Sequence, residues 1–203
     1  MGAPTFEDTE DDTRAAILRA TFDALCEHGY ANLTIQRIGD TFGMSKSLLY
    51  HHYDGKDELL LEFLDYLLSR LERETPRSPT DSPEERLRAL LDHLLPEDPS
   101  TERVEFLRAM AELRAQAVHD EAYREHFTRS DRFFRAQFVD ILEAGIESGH
   151  FEPVDVEQVA SALTTVATGS MFERVSSDDP GVTPVRAMLE SYVETKLRPE
   201  SDT

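Results

Sequence analysis

Apolar residues recur every three or four positions along most of the chain, which is the spacing of one helical face. In the segment 12–28, Ile17, Thr21 and Leu25 form one such row. In 56–73 the apolar stripe is wide enough to pack on two sides, as a helix linking a small head to a larger body would be. Since strand-like alternation is scarce, the pattern predicts an all-α fold, with further helices at 83–95, 101–118, 121–148, 155–175 and 185–197.

The stretch 34–53 has the pattern of two short helices joined by a tight turn. Thr34 is a good N-cap for the first helix, Gly43 gives the backbone freedom that a sharp turn needs, and Ser45 can cap the second helix. The first helix carries three apolar residues on one face: Ile35, Ile38 and Phe42. This arrangement predicts a helix-turn-helix, whose second helix enters the major groove of DNA.

These elements divide the chain into four expected parts. Residues 1–11 form an acidic tail that we expect to be disordered. A three-helix DNA-binding head follows at 12–55, and a connecting helix then opens a ligand-binding and dimerisation domain of about five to six helices at 56–198. Residues 199–203 form a second tail. A proline-rich linker at 74–83 separates the connecting helix from the rest of the bundle.

The charge of the chain at first opposes a role in DNA binding. There are 41 acidic residues against 21 basic ones, a net charge of -20, whereas a DNA-binding surface is normally basic. The acidic residues are unevenly placed, however. Between positions 31 and 53 the only charged residues are Arg37, Asp40 and Lys46, a local net charge of +1. The region predicted to meet DNA is therefore almost free of acid.

Lysine is scarce among the basic residues, with three lysines and eighteen arginines. Abundant acid with little lysine resembles the proteins of salt-in halophiles, in which molar salt screens the self-repulsion of a highly charged chain. The alternative is an ordinary acidic cytosolic protein. We favour the halophilic interpretation.

The motifs between residues 12 and 60 carry a family resemblance. They comprise Gly29-Tyr30 at the end of the first helix, then Thr34-Ile35, Ile38, Gly43-Met44-Ser45-Lys46, Leu49-Tyr50-His51 and Lys56-Asp57-Glu58-Leu59. In this combined spacing the chain resembles the DNA-binding head of the TetR (tetracycline-repressor-like) family. The body matches in architecture only. The resemblance implies a homodimer that binds a palindromic operator, usually as a repressor, and is released by a small-molecule effector.

The same resemblance implies which side chains contact DNA. Thr34, Tyr50 and Lys56 match positions that usually hold phosphates. Arg37 departs from the family pattern, which often has an acid at this position, and adds a further phosphate contact. The candidates for base edges are four residues of the second helix: Ser45, Lys46, Ser47 and His51.

Two other departures from the family pattern bear on these assignments. Leu48 replaces a small hydroxyl residue. It either contacts a thymine methyl group or packs back onto the first helix. The aromatic pair that usually follows His51 is altered to His52-Tyr53. A further open alternative is that Tyr50 belongs partly to the core and that His51 is merely exposed.

Two further sites are expected in the body. Aromatic residues at helical spacing more often form core than a site, but a pocket between the connecting helix and the long helix is the default hypothesis for a small apolar or aromatic effector. Its expected lining is Tyr66, Met110, Leu113, Phe134, Phe138 and Thr165. Small residues in 155–175 allow another helix to approach closely. We therefore expect a subunit interface formed by Val159, Leu163, Ala167, Ser170, Met188 and Tyr192.

Other classes of function find little support in the sequence. No phosphate loop, nucleophile motif or Cys/His cluster occurs, so we expect neither an enzyme nor a cofactor or metal site. The lone Cys26 is expected to be a packing residue. No run of membrane-spanning length and no signal peptide is present, which predicts a cytoplasmic protein without a membrane partner. Two rivals remain: a helical ligand-binding or scaffolding protein that does not bind DNA, and a ligand-independent activator.

Overall fold

The computed structural model describes the backbone of residues 12–42, 46–76, 81–193 and 197, and the side chains of all of these except Asp12, Phe42 and residues 46–48. The described residues are mostly helical and include no strand, which confirms the all-α prediction. The helices are α1 Asp12–His28, α2 Ile35–Phe42, α3 Lys46–His52, α4 Lys56–Arg73, α5 Pro83–Leu94, α6 Thr101–Gln116, α7 Glu121–Glu147, α8 Val156–Ser176 and α9 Val182–Tyr192, with one 3-10 turn at Tyr30–Asn32.

The described chain forms two compact units. The first contains the residues up to Arg70 together with Pro99–Phe127, and the second contains Leu71–Asp98 together with the residues from Thr128 onward. The expected DNA-binding segment 12–55 therefore lies within the first unit, along with most of α4 and all of α6.

The core of the first unit is built by the apolar rows that the sequence shows. Phe22 of α1 and Phe63 of α4 place their ring centroids 6.4 Å apart. The same unit buries aliphatic side chains from all four N-terminal helices almost completely: Ile17, Leu18, Leu25, Ile38, Leu49, Leu59 and Leu60. Burial of each such side chain contributes about 1.5–3 kcal/mol, so this core holds α2 and α3 in place.

The second unit has its own apolar core, contributed by α5, α7, α8 and α9. Helix α7 ends in a reversal at Gly149, where φ is +73°. The His150 N–H donates to the Gly145 carbonyl over 2.8 Å, and the Gly149 N–H donates to the Ile146 carbonyl over 3.1 Å. This pair of bonds satisfies carbonyls that a helix end would leave open. It also turns the ring of Phe151 back onto the helix.

Two side chains with ionisable groups, Cys26 and Arg186, have structural roles. Burial, followed by the charge of Glu105, raises the pKa of the Cys26 thiol to about 12, so this thiol stays protonated and unreactive at neutral pH. In the second unit, the buried Arg186 is paired with Asp92 and Glu190 and donates to the Leu95 carbonyl over 3.1 Å. This arginine is a structural cross-link between α5 and α9.

Candidate nucleic-acid interface

Helix α2 begins at a well-formed cap. The Arg37 N–H donates to the Thr34 hydroxyl over 3.2 Å, and the Ile38 N–H donates to the Thr34 carbonyl over 3.1 Å. Thr34 is exposed, as its predicted phosphate contact requires. Arg37 is also exposed, and its guanidinium donates to the Asn32 carbonyl. This bond uses one of its five donors and leaves others to face an anion.

Helix α3 presents one face to the core and another to solvent. Leu49 is fully buried and Tyr53, just after the helix, is 5% exposed. Between them, Tyr50 is 61% exposed, and His51 and His52 are exposed as well. The alternative in which Tyr50 is partly core therefore does not hold.

The side chains of the other predicted DNA contacts at the start of α3 lie outside the described residues. Lys46, Ser47 and Leu48 belong to α3, but their side chains lie outside the described residues. Ser45 lies outside them altogether. Both alternatives for Leu48 therefore stay open.

The end of α3 is anchored by a network that the sequence did not reveal. The Tyr53 hydroxyl hydrogen-bonds to Glu62 of α4, and Glu62 also accepts from the Arg14 guanidinium of α1. Burial first, and then the nearby charge of Glu62, raise the pKa of Tyr53, so this hydroxyl remains a donor. The only hint in the sequence was that His52-Tyr53 departs from the usual aromatic pair. The network fixes the position from which α3 projects its exposed side chains.

Helix α4 begins with the lysine predicted to contact phosphate. The Lys56 ammonium lies 4.5 Å from the centroid of the Tyr30 ring, which is within the range of a cation–π contact. The Asp54 N–H donates to the Glu58 carboxylate over 2.7 Å and closes the turn before the helix. Lys56 is thus half-buried against an aromatic face at a helix N-terminus, where an anion is favoured.

The predicted effector-pocket residues are divided between the two units. Tyr66, Met110 and Leu113 belong to the first unit, where Met110 and Leu113 are buried. The other three belong to the second unit: Phe134 and Phe138, which are in its core, and Thr165, which is exposed and donates to the Ser161 carbonyl over 2.8 Å. The pocket itself stays a prediction.

The predicted subunit-interface residues all lie in the second unit. Leu163 and Ser170 are buried at 4% and 6% exposure, so they face the core of this unit rather than a partner. Met188 is 53% exposed, and the remaining three are half-buried: Val159, Ala167 and Tyr192. The exposed positions of α8 are instead Glu157, Gln158, Ala162, Thr165, Gly169, Glu173 and Ser176.

Other kinds of site are not seen in the part of the chain that the structure describes. No group of three or more His, Cys, Asp or Glu side chains could hold a metal ion among these residues. None of the described helices combines the length and the apolarity that crossing a membrane requires.

Two family models match successive parts of the chain. Residues 17–63 match the model of bacterial regulatory proteins of the tetR family, and residues 83–198 match that of the C-terminal region of BetI-type transcriptional repressors. The HTH-type transcriptional repressor KstR2 of Mycobacterium tuberculosis is 32% identical over 154 residues, which cover 72% of this chain and 73% of that protein.

Two solved structures extend the likeness to three dimensions. A TetR transcription regulator from Haloarcula marismortui has a TM-score of 0.82 and 37% identity, covering 92% of this chain and 99% of that one. A putative transcriptional regulator from Saccharomonospora viridis, solved in complex with choline, has a TM-score of 0.77 at 20% identity over 93% and 99% of the two chains, which speaks for the fold alone. The chain therefore belongs to the TetR family of transcriptional regulators.

Proposed function

We propose that this protein is a repressor that binds a palindromic operator as a homodimer in the cytoplasm and is released by a small apolar or aromatic effector. The observation that carries the DNA-binding part is the geometry of α3. Its exposed Tyr50 and His51 project from a helix that buried Leu49 and the Tyr53–Glu62 bond hold in place. A rigid helix with an exposed polar face and little acid around it suits the major groove.

A binding measurement tests this function directly. Labelled duplex DNA from upstream of the protein's own gene is titrated in molar KCl and followed by fluorescence anisotropy. We expect saturable binding that an unlabelled copy competes and a scrambled duplex does not. A cleavage footprint of the same complex should show two protected half-sites about 10 base pairs, or a multiple of this, apart. A folded protein that binds none of this DNA would instead support the helical ligand-binding alternative.

The effector is tested with two chemically different probes. Choline is a quaternary cation, which aromatic side chains and acids would hold, whereas a ketosteroid is flat and apolar. The solved structure of KstR2 from Mycobacterium tuberculosis, called a ketosteroid transcriptional regulator, superposes on 95% of this chain, and over that longer alignment the identity is 22%, so both molecules serve as probes rather than as candidates. We expect an apolar probe to release the DNA. Release by choline alone would contradict the apolar effector.

The homodimer is proposed from an uncharged surface on α8 and α9. From Val159 to Phe172 the chain has no charged residue, although charged residues make up 31% of the whole sequence. The exposed residues of this segment include Ala162 and Gly169, and α9 adds the exposed Met188. In a chain of net charge -20, such a surface suits contact with a second copy about a two-fold axis.

A glutamate at Gly169 is expected to break this dimer. A Cβ placed there has no atom within 4 Å, so Gly169→Glu can be accommodated by the monomer, and loss of a helical glycine favours the helix. In a two-fold interface the same change buries two like charges. Light scattering after gel filtration should show the mass fall toward that of one chain, 23.1 kDa. Ala136→Glu, on the exposed side of α7, is the matched control and should leave the dimer intact. A dimeric Gly169→Glu protein would refute this interface.

A further inference from the structure

The turn between α1 and α2 is tied to a distant helix. Gly29 has φ +69° and ψ 161°, a conformation essentially restricted to glycine. This geometry presents the N–H of Tyr30 to the carboxylate of Glu112 in α6, which lies 82 positions further along the chain and accepts a hydrogen bond from it. A Cβ on Gly29 would lie 3.3 Å from the same carboxylate. The turn and the carboxylate therefore fit closely together.

The side chain of Tyr30 extends from this anchored backbone in two directions. Its ring lies beneath the Lys56 ammonium at 4.5 Å. Its hydroxyl faces that of Tyr123, a residue only 1% exposed, and burial followed by the charge of Asp57 raises the pKa of Tyr30. Tyr30 is thus a spacer between α6 and the first residue of α4.

We propose that Glu112 is a positioning residue for operator binding, acting through Tyr30 to hold Lys56 where it contacts a DNA phosphate. The inference rests on the proposed function, because it requires Lys56 to meet DNA. The carboxylate fixes the backbone of Tyr30, the backbone fixes the ring, and the ring fixes the ammonium. A lysine side chain has four rotatable bonds, and ordering them on binding costs conformational entropy. Support from the Tyr30 ring lowers this cost, because the side chain has fewer conformations to lose when the phosphate binds.

The sign of the effect separates this role from simple electrostatics. Removal of an acid near a DNA-binding surface should strengthen binding, because one repulsive charge disappears. If Glu112 positions Lys56, its removal should weaken binding instead. A merely structural Glu112 would change the melting temperature but not the number of phosphates that the protein contacts.

The salt dependence of affinity counts those phosphates. Each neutralised phosphate contributes about 0.9 to the slope of log affinity against log salt, so the two Lys56 side chains of a dimer contribute about 1.8. Anisotropy titrations from 0.1 M to 1 M KCl, on the upstream duplex bound by the unsubstituted protein, give this slope. We expect Lys56→Ala to lower it by about 1.8 and the affinity by about tenfold. Glu112→Ala should lower the slope by most of that amount, and the double variant should fall no further than Lys56→Ala alone.

Two control variants sharpen the result. Glu112→Gln keeps an oxygen that can accept the Tyr30 N–H, so it should retain the slope of the unsubstituted protein. Glu125→Ala removes an equal charge from an exposed position of α7 and should leave binding unchanged or slightly tighter. A Glu112→Ala protein with an unchanged slope, or a Glu112→Gln protein as impaired as the alanine variant, would overturn the positioning role. If Lys56→Ala itself left the slope unchanged, the phosphate contact of the proposed function would fail instead.

Discussion

Alanine at Tyr50 is expected to lower operator affinity about a hundredfold or more while leaving the melting temperature unchanged. A hydrogen bond to a charged group contributes about 1.5–3 kcal/mol, and a dimer loses the same contact in both heads. Tyr50 is 61% exposed, so little packing is lost when its ring is removed. Anisotropy in molar KCl measures the affinity, and thermal unfolding in the same buffer measures the stability.

Lys46→Ala should weaken binding in the same way, because Lys46 begins α3 and matches a base-contacting position of the family. Lys46→Ala should also change which DNA sequences the protein prefers, whereas Tyr50→Ala should lower the affinity for all DNA sequences alike. Competition with duplexes that differ at single positions distinguishes the two effects.

Two further variants define what Tyr50 does. Tyr50→Phe removes only the hydroxyl and should account for most of the loss if the hydroxyl donates to a phosphate. Val118→Ala truncates a side chain that is 70% exposed in the same unit but remote in sequence from the helix-turn-helix, so it should change neither property. If Tyr50→Ala still bound the operator normally, the assignment of α3 as the recognition helix would be refuted.

Much of the fold could be predicted, because the positions of helices and caps depend on residues that are close together in the sequence. The apolar row of α1 and the cap of α2 depend on residues within a few positions of one another, and the structure places α1 at Asp12–His28 as the pattern predicts. The start of α9 was missed by three residues. Pro184 indicated a loop, yet the structure begins the helix at Val182, because proline is tolerated in the first turn of a helix.

The contacts that support the site could not be predicted, since they join residues far apart in the chain. Arg14 and Glu62 are separated by 48 positions, and Tyr30 and Glu112 by 82. In the sequence, each of these residues looks like a polar residue on the solvent-facing side of a helix or turn. Periodicity assigns a residue to a helical face, but it does not say which distant residue that face meets.

Acidic residues are scarce in segment 31–53, but two acids outside it support this segment through hydrogen bonds. A chain of net charge -20 approaches a polyanion through a surface on which Asp40 is the only acid of the segment. The acids that support this surface, Glu62 and Glu112, are engaged as acceptors by Arg14 and the Tyr30 N–H. Under the proposed function, acid in the first unit would serve partly to hold the predicted DNA-contacting residues in position.

Replacement of Gly145 by alanine is expected to destabilise the second unit, although alanine normally favours a helix over glycine by about 0.5–1 kcal/mol. An alanine Cβ at this position would lie 1.9 Å from the Phe151 ring, which is 2% exposed and belongs to the core of the unit. The ring is held on α7 by the reversal at Gly149, and the Phe151 N–H donates to the Gly145 carbonyl over 3.0 Å. The Phe151 ring must therefore move away from α7 to make room for the methyl group of the alanine.

Overpacking of this kind costs about 1–3 kcal/mol, which for a chain of this length corresponds to a fall in melting temperature of roughly 3–10 °C. Calorimetry at one fixed protein concentration in molar KCl measures this change and keeps any dimer contribution constant. Ala136→Gly is the comparison, because position 136 lies on the exposed side of the same helix and the change there reports the helix preference alone. That variant should lose about 0.5–1 kcal/mol. A Gly145→Ala protein that is more stable than the unsubstituted protein would mean that Phe151 does not pack on Gly145 in solution.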